Sequence, residues 1–93
     1  MHVKRRQAAL RHGVRVRLRA AQAGKVRIRV RSHGRTIARK VRSVPAGRAR
    51  TVVARLNKRG RRMARRPGVL RAKVRVRLPG ESRDRVRRLR IVG

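Results

Sequence analysis

The stretch GKVRIRVRSHG, residues 24–34, decides the fold class of this chain. Cations stand at every second position from Lys25 to Arg31, and a branched aliphatic residue stands at each position between them: Val26, Ile28 and Val30. A period of two places the two kinds of side chain on opposite sides of an extended backbone, whereas the period of a helix would mix them. We therefore predict a β-strand with one apolar face and one cationic face.

The same alternation recurs along the chain. Three other segments keep their apolar residues in phase: GVRVRLR (13–19), ARTVVARL (49–56) and VLRAKVRVRL (69–78). Segments 35–44 and 84–92 slip in phase near Arg39–Lys40 and Arg87–Arg88, which indicates bulges or, in the first segment, two short strands. Glycine and proline mark turns between these segments: SHGR (32–35), VPAG (44–47) and PGES (79–82). Short strands separated by such turns favour an all-β sandwich or barrel.

The segment NKRGRRMARR (57–66) breaks the alternation. Asn57 is a candidate N-cap, and Pro67 follows where a helix would have to stop. Gly60 lowers the helical propensity of the segment. We predict one short helix around residues 58–65 that connects two strands.

The N-terminal residues are basic and lack a clear pattern. Residues 4–13 predict either a helical turn that ends at Gly13 or an extended lead-in. We divide the chain into a basic N-terminal lead-in, residues 1–12, and a single β-sandwich domain, residues 13–93. The chain has neither the apolar stretch of a secretory signal peptide nor a run of membrane-spanning length. We expect a cytoplasmic protein if the chain stands alone, and an extracellular or cell-surface protein if it is a piece of an exported one.

The composition limits both stability and chemistry. There are 33 Lys and Arg against two acids, a net charge of +31, and like charges at this density repel one another in a compact state. We expect salt or a polyanion to stabilise the fold. The excess of Arg over Lys indicates either selection for bidentate binding of phosphate or carboxylate, or a GC-rich genome. The chain has no Cys, hence no disulfide, and no aromatic residue on which unpaired bases could stack.

Residues that could carry catalysis or bind a metal are sparse. The histidines are expected in the tail and in loops: His2, His12 and His33. A triad of Ser82, Asp84 and His33 lacks a nucleophile elbow and an oxyanion motif. The two acids, Glu81 and Asp84, are predicted to pair with nearby arginines, Arg83 and Arg85. We expect no enzymatic activity, no cofactor and no metal site.

What remains is a set of cations that alternate along predicted strands. Successive members of one row stand about 6.5–7 Å apart, a scale similar to the charge spacing of phosphorylated and sulfated polymers. Such rows bind dense polyanions by counterion release and with little sequence preference. The alternative is a solvated sheet face that keeps the chain in solution. The candidate polyanion-binding residues are Arg15, Arg17, Arg19, Arg27, Arg29, Arg31, Arg71, Lys73, Arg75 and Arg77.

The order of the segments also resembles a known family. ALRHGVRV (9–16) precedes AGKVRIRVRSHGRTIARKVR (23–42), PAGRARTVVARLNKRGRRMARRPG (45–68) and LRAKVRVRL (70–78). This succession resembles the Arg-rich immunoglobulin-like β-sandwich modules of secreted and surface proteins from high-GC actinobacteria, most specifically at residues 46–66. The resemblance implies an antiparallel sandwich of about seven strands that serves as a spacer or in adhesion. Many such modules carry a Cys pair near the second strand, where AAQAG (20–24) stands here, so no disulfide is implied.

Three functional hypotheses follow. We expect an all-β, immunoglobulin-like module that is structural or adhesive, and whose basic faces bind cell-wall polymers or polysaccharides rather than a small-molecule substrate. The alternative is a small nucleic-acid-binding protein, associated with the nucleoid or the ribosome, that contacts the phosphate backbone. A third is a designed sequence without a biological role.

Overall fold

The computed structural model describes residues 2–92, within which the chain forms seven strands and two short helices. The strands are β1 (His2–Arg5), β2 (Val14–Arg19), β3 (Gly24–Ser32), β4 (Arg35–Val44), β5 (Ala49–Ala54), β6 (Leu70–Arg77) and β7 (Arg85–Val92). The helices are α1 (Arg6–His12) and α2 (Lys58–Ala64). The prediction of a mostly β fold is confirmed, and α2 lies where a short helix was predicted.

The strands form two sheets that enclose one apolar core. Five strands pair in the order β1-β7-β6-β3-β4, and β2 pairs with β5 in a second, two-stranded sheet. Among these pairings only that of β1 with β7, within residues 2–92, is parallel. Buried and exposed residues alternate along β2 and β3 as the sequence predicts. The core draws on both sheets and includes Val14, Val16, Leu18, Val26, Ile28, Val30, Val52, Val74 and Val76.

The phase slip in segment 35–44 comes from a bulge within a single strand. The register of β3 against β4 shifts at Ile37, so this segment forms one strand rather than two. Ile37 and Ala38 both enter the core and are fully buried. The predicted position of the slip, near Arg39–Lys40, is wrong. The bulge lies at Ile37, beneath helix α2. The additional strand is β1, which the sequence left undecided.

Strand β7 has a different reason for its broken alternation. It pairs with β6 in one unbroken register from Ile91 to Arg85, so the predicted bulge at Arg87–Arg88 is wrong. Arg87 lies directly opposite Val74 and shares its side of the sheet, whereas Val86 points outward and is 48% exposed. The two-stranded sheet is too narrow to cover all of the five-stranded sheet. Cations on the inner side of β7 therefore lie at the uncovered edge of the core.

Helix α2 is fixed by its cap and by a close approach to β4. The Asn57 side chain accepts a hydrogen bond from the Gly60 amide at 2.7 Å, which confirms it as the N-cap, and donates to the Thr36 carbonyl oxygen at 2.9 Å. Gly60 is buried, and a Cβ there would collide with the Ile37 carbonyl oxygen. The glycine that weakens helical propensity is therefore the residue that lets the helix rest on the bulge.

The described part of the lead-in packs against the sheet and the core. Strand β1 extends the five-stranded sheet beside β7, and α1 is longer than the single turn that the sequence allowed. Ala9 of α1 is fully buried, and the Arg6 guanidinium donates to the Gly68 carbonyl oxygen at 2.8 Å. Residues 2–12 therefore contribute both to sheet pairing and to the core.

Gly13, which joins α1 to β2, provides a test of this packing. Its φ is +74°, and a Cβ built there would lie 2.5 Å from the Ala54 carbonyl oxygen, whereas Gly34 has the same φ and open space around it. We expect Gly34→Ala to lower the free energy of unfolding by about 1 kcal/mol and Gly13→Ala by at least about 3 kcal/mol, because only Gly13→Ala adds a backbone clash. Urea denaturation measures both losses. Equal losses would contradict the close contact between Gly13 and β5.

Candidate polyanion-binding surface

The register of the five-stranded sheet collects most of the predicted cations on one surface. Directly opposite pairs join β3 to β6: Arg27 with Arg77, Arg29 with Arg75, and Arg31 with Lys73. Opposite residues point to the same side of a sheet, here the side away from the core. We call this surface the cationic face, and its predicted members are Arg27, Arg29, Arg31, Arg71, Lys73, Arg75 and Arg77.

The cationic face is held together by the apolar side of its own strands. Neighbouring cations stand about 6.5–7 Å apart along a strand and about 5 Å apart across the pairing, and like charges so placed destabilise a sheet. Val26 and Val30 lie between them in the chain and are fully buried, which stabilises the fold by roughly 1.5–3 kcal/mol for each side chain. The alternation that forms the core therefore also forces the cations side by side.

The remaining predicted cations lie on the other sheet. Arg15, Arg17 and Arg19 are exposed on β2 and alternate with core residues. Their partners on β5 are uncharged: Val53, Thr51 and Ala49. The structure thus divides the predicted site into a two-dimensional array on the cationic face and a single row on the two-stranded sheet.

Further cations that the sequence analysis did not select extend the cationic face: Arg39 on β4, and Arg88 and Arg90 on β7. Each lies directly opposite a selected cation on the adjacent strand. They were missed because the alternation breaks in β4 and β7. Lys73 and Arg88 lie at equal distances in sequence from the centre of the predicted turn PGES (79–82). A hairpin centred on this segment pairs them, so its position in the sequence could have identified Arg88 and Arg90.

Both acids of the chain lie between β6 and β7, at one end of the cationic face. Asp84 accepts a hydrogen bond from Arg77 Nε at 2.8 Å, and Glu81 accepts one from Arg85 Nε at 3.0 Å. The predicted pairing with Arg85 is confirmed, whereas Asp84 takes Arg77 as its partner instead of Arg83. Exposed pairs of this kind contribute at most about 1 kcal/mol each. Their main consequence is electrostatic, because they offset the positive charge at this end of the sheet.

The structure does not assemble the residues considered for catalysis or metal binding. His33 lies in the turn between β3 and β4, whereas Ser82 and Asp84 lie beyond the opposite end of β6. His12 is exposed at the end of α1, and the side chain of His2 lies outside the described part of the chain. Across the described residues, no three potential metal ligands come together.

Comparison of the chain with protein-family models, with curated protein sequences and with solved structures gives no match. Neither of the helices in residues 2–92 is long and apolar enough to cross a membrane. The functional conclusion therefore rests on the geometry and charge of the cationic face.

Lys73 provides a test of the repulsion within the cationic face, because it lies between Arg31 on β3 and Arg88 on β7. Lys73→Glu replaces both repulsions by attractions. We expect the free energy of unfolding to rise by about 1 kcal/mol at low salt, which raises Tm by roughly 4–8 °C. Thermal unfolding followed by circular dichroism measures the shift.

Lys25→Glu is the matched control for Lys73→Glu. It changes the net charge equally, but Lys25 lies opposite Ser43 rather than opposite a cation. We expect less than half the rise in Tm, and we expect the difference between the two variants to shrink at ~0.5 M salt, which screens exposed charges. Equal rises in the two variants would mean that only net charge matters, not the register.

Proposed function

We propose that the chain is a non-catalytic, immunoglobulin-like β-sandwich module that binds anionic polymers through the cationic face, with little sequence preference. The observation that carries this proposal is the pairing of cation with cation across β3 and β6, and onward to β7. Sulfated and phosphorylated polysaccharides and anionic wall polymers have the charge density that such an array matches.

The neighbours of each strand support the immunoglobulin-like part of the proposal. In immunoglobulin domains the second strand pairs with the fifth, and the third, sixth and seventh strands form the facing sheet. This chain has the same neighbours, β2 with β5 and β3 with β6 and β7. The arrangement departs from the constant-type domain in its edge strands, since β1 and β4 both border the larger sheet.

The charge distribution supports polyanion binding over a passive solvated face. Opposite cations at this spacing cost free energy in the unbound chain, and the described acids offset only one end of the array. A polyanion would supply the missing counter-charge and release condensed counterions, so binding is favourable at low salt. Guanidinium groups add bidentate hydrogen bonds to sulfate or phosphate oxygens.

A double variant at the centre of the face tests the proposal with heparin as the probe. Arg29→Glu with Arg75→Glu removes one directly opposite pair, and Arg15→Glu with Arg17→Glu changes the net charge equally on the other sheet. We expect the first variant to lose roughly 30-fold in affinity at ~0.15 M salt and to flatten the slope of log K against log salt by about 2. The control should lose less than about threefold.

Equal losses in the two double variants would reject the cationic face as the binding surface and leave only the net charge of the chain. The same titration with duplex DNA and single-stranded DNA addresses the nucleic-acid alternative. That alternative is favoured if either DNA retains measurable affinity at ~0.3 M salt while heparin does not. Parallel collapse of all three affinities by ~0.3 M salt counts against it.

A further inference from the structure

The cationic face is not flat along its whole length. Next to the turn between β3 and β4 it sinks into a groove of about 660 Å³, which falls within the size range of small-molecule sites. Six cations line this groove: Arg31, Arg71, Lys73, Arg75, Arg88 and Arg90. The size of the groove and the number of cations around it fit a compact anion.

The groove lies at the end of the cationic face that has no compensating acid. Glu81 and Asp84 are at the other end, where they pair with Arg85 and Arg77. No carboxylate lines the groove. Cations in a recess that are not offset by nearby acids focus a positive potential there, which concentrates anions from solution.

Hydrogen bonding within the groove leaves donors available. The Arg31 guanidinium donates to the Gly34 carbonyl oxygen at 2.8 Å, which holds it beside the turn. Arg90 Nε is shielded from solvent and has no acceptor among the described residues. A buried N–H without an acceptor costs free energy, so binding of an oxyanion that reaches this N–H would be favoured.

We propose that this groove binds a small, phosphate-dense anion, such as a linear triphosphate or a cluster of phosphate monoesters, with one molecule bound per chain. Six cations around a groove of about 660 Å³ favour a ligand that carries several negative charges in a small volume. Contiguous or doubly ionised phosphates provide them, whereas a phosphodiester backbone carries one charge per nucleotide. The inference rests on the proposed function and deepens it, since it adds a compact ligand to the polymer that the sequence alone suggested.

Calorimetric titration at ~0.15 M salt tests the groove, with inorganic tripolyphosphate as the first probe and inositol hexakisphosphate as the second. The groove variant is Lys73→Glu with Arg88→Glu, and the control, of equal charge change, is Arg15→Glu with Arg17→Glu. We expect one bound molecule per chain, a loss of at least roughly 30-fold in affinity in the groove variant and less than about threefold in the control. The stronger of the two probes distinguishes a phosphate chain from a phosphorylated polyol.

Two further measurements test binding in the groove even if the groove variant folds poorly. Lys73→Gln with Arg88→Gln removes charge without adding acids, and we expect roughly a tenfold loss. Amide chemical shifts in the wild-type protein provide a direct readout, since the ligand should move Gly34 and Arg90 but not Arg15 or Arg17. Equal losses in groove and control variants, several molecules bound per chain, or shifts spread over both sheets would overturn the proposal.

Heparin binding, measured on the same samples, separates this inference from the proposed function. If the wild-type protein binds heparin but neither phosphate probe saturates, the groove proposal fails and the polymer-binding function stands. If the double variant on the cationic face and the double variant on the two-stranded sheet also lose heparin affinity equally, both proposals are rejected.

Discussion

The alternation of aliphatic and cationic residues along extended backbone is the constraint on which this structure depends. Because side chains of a strand point alternately to its two sides, each valine of β2, β3 and β6 that enters the core is followed by a cation on the outer surface. The register that sets Val30 opposite Val74 also sets Arg29 opposite Arg75. A slip of one residue would turn cations into the core, so the register is strongly specified. The charge array of the cationic face is therefore a direct consequence of core burial.

The sequence predicts strands well where both faces of a strand have distinct surroundings. β2, β3 and β6 lie over the core and keep the alternation, and α2 begins at the cap that Asn57 provides. The edge strand β4 does not keep it, because Lys40 and Arg42 share the side of Ile28 and Val26 yet remain exposed. Alternation reports burial on one face, and Lys40 and Arg42 lie on a part of β4 that the core does not cover. Inward-facing cations also protect such an edge from pairing with another chain.

The candidate site was harder to predict than the strands that carry it. The patterns of β2 and β3 are nearly the same, VRVRLR and KVRIRVR, yet the two strands belong to different sheets. Which strands become neighbours depends on contacts that are distant in sequence, so the local pattern gave the cations but not their grouping. The exception is the hairpin of β6 and β7, where two strands that are adjacent in the chain pair directly and Lys73 lies opposite Arg88.

The proposed binding of anions is coupled to the stability of the fold. At one end of the cationic face, Asp84 and Glu81 compensate cations within the chain itself. At the other end the compensating charge has to come from solution, so any anion bound there stabilises the folded state by mass action, by about 2.7 kcal/mol at a hundredfold excess over Kd. In the proposed function, a substitution that relieves repulsion in the free chain also removes a contact to the ligand. The repulsion that weakens the free fold is thus the same interaction that would favour the proposed bound state.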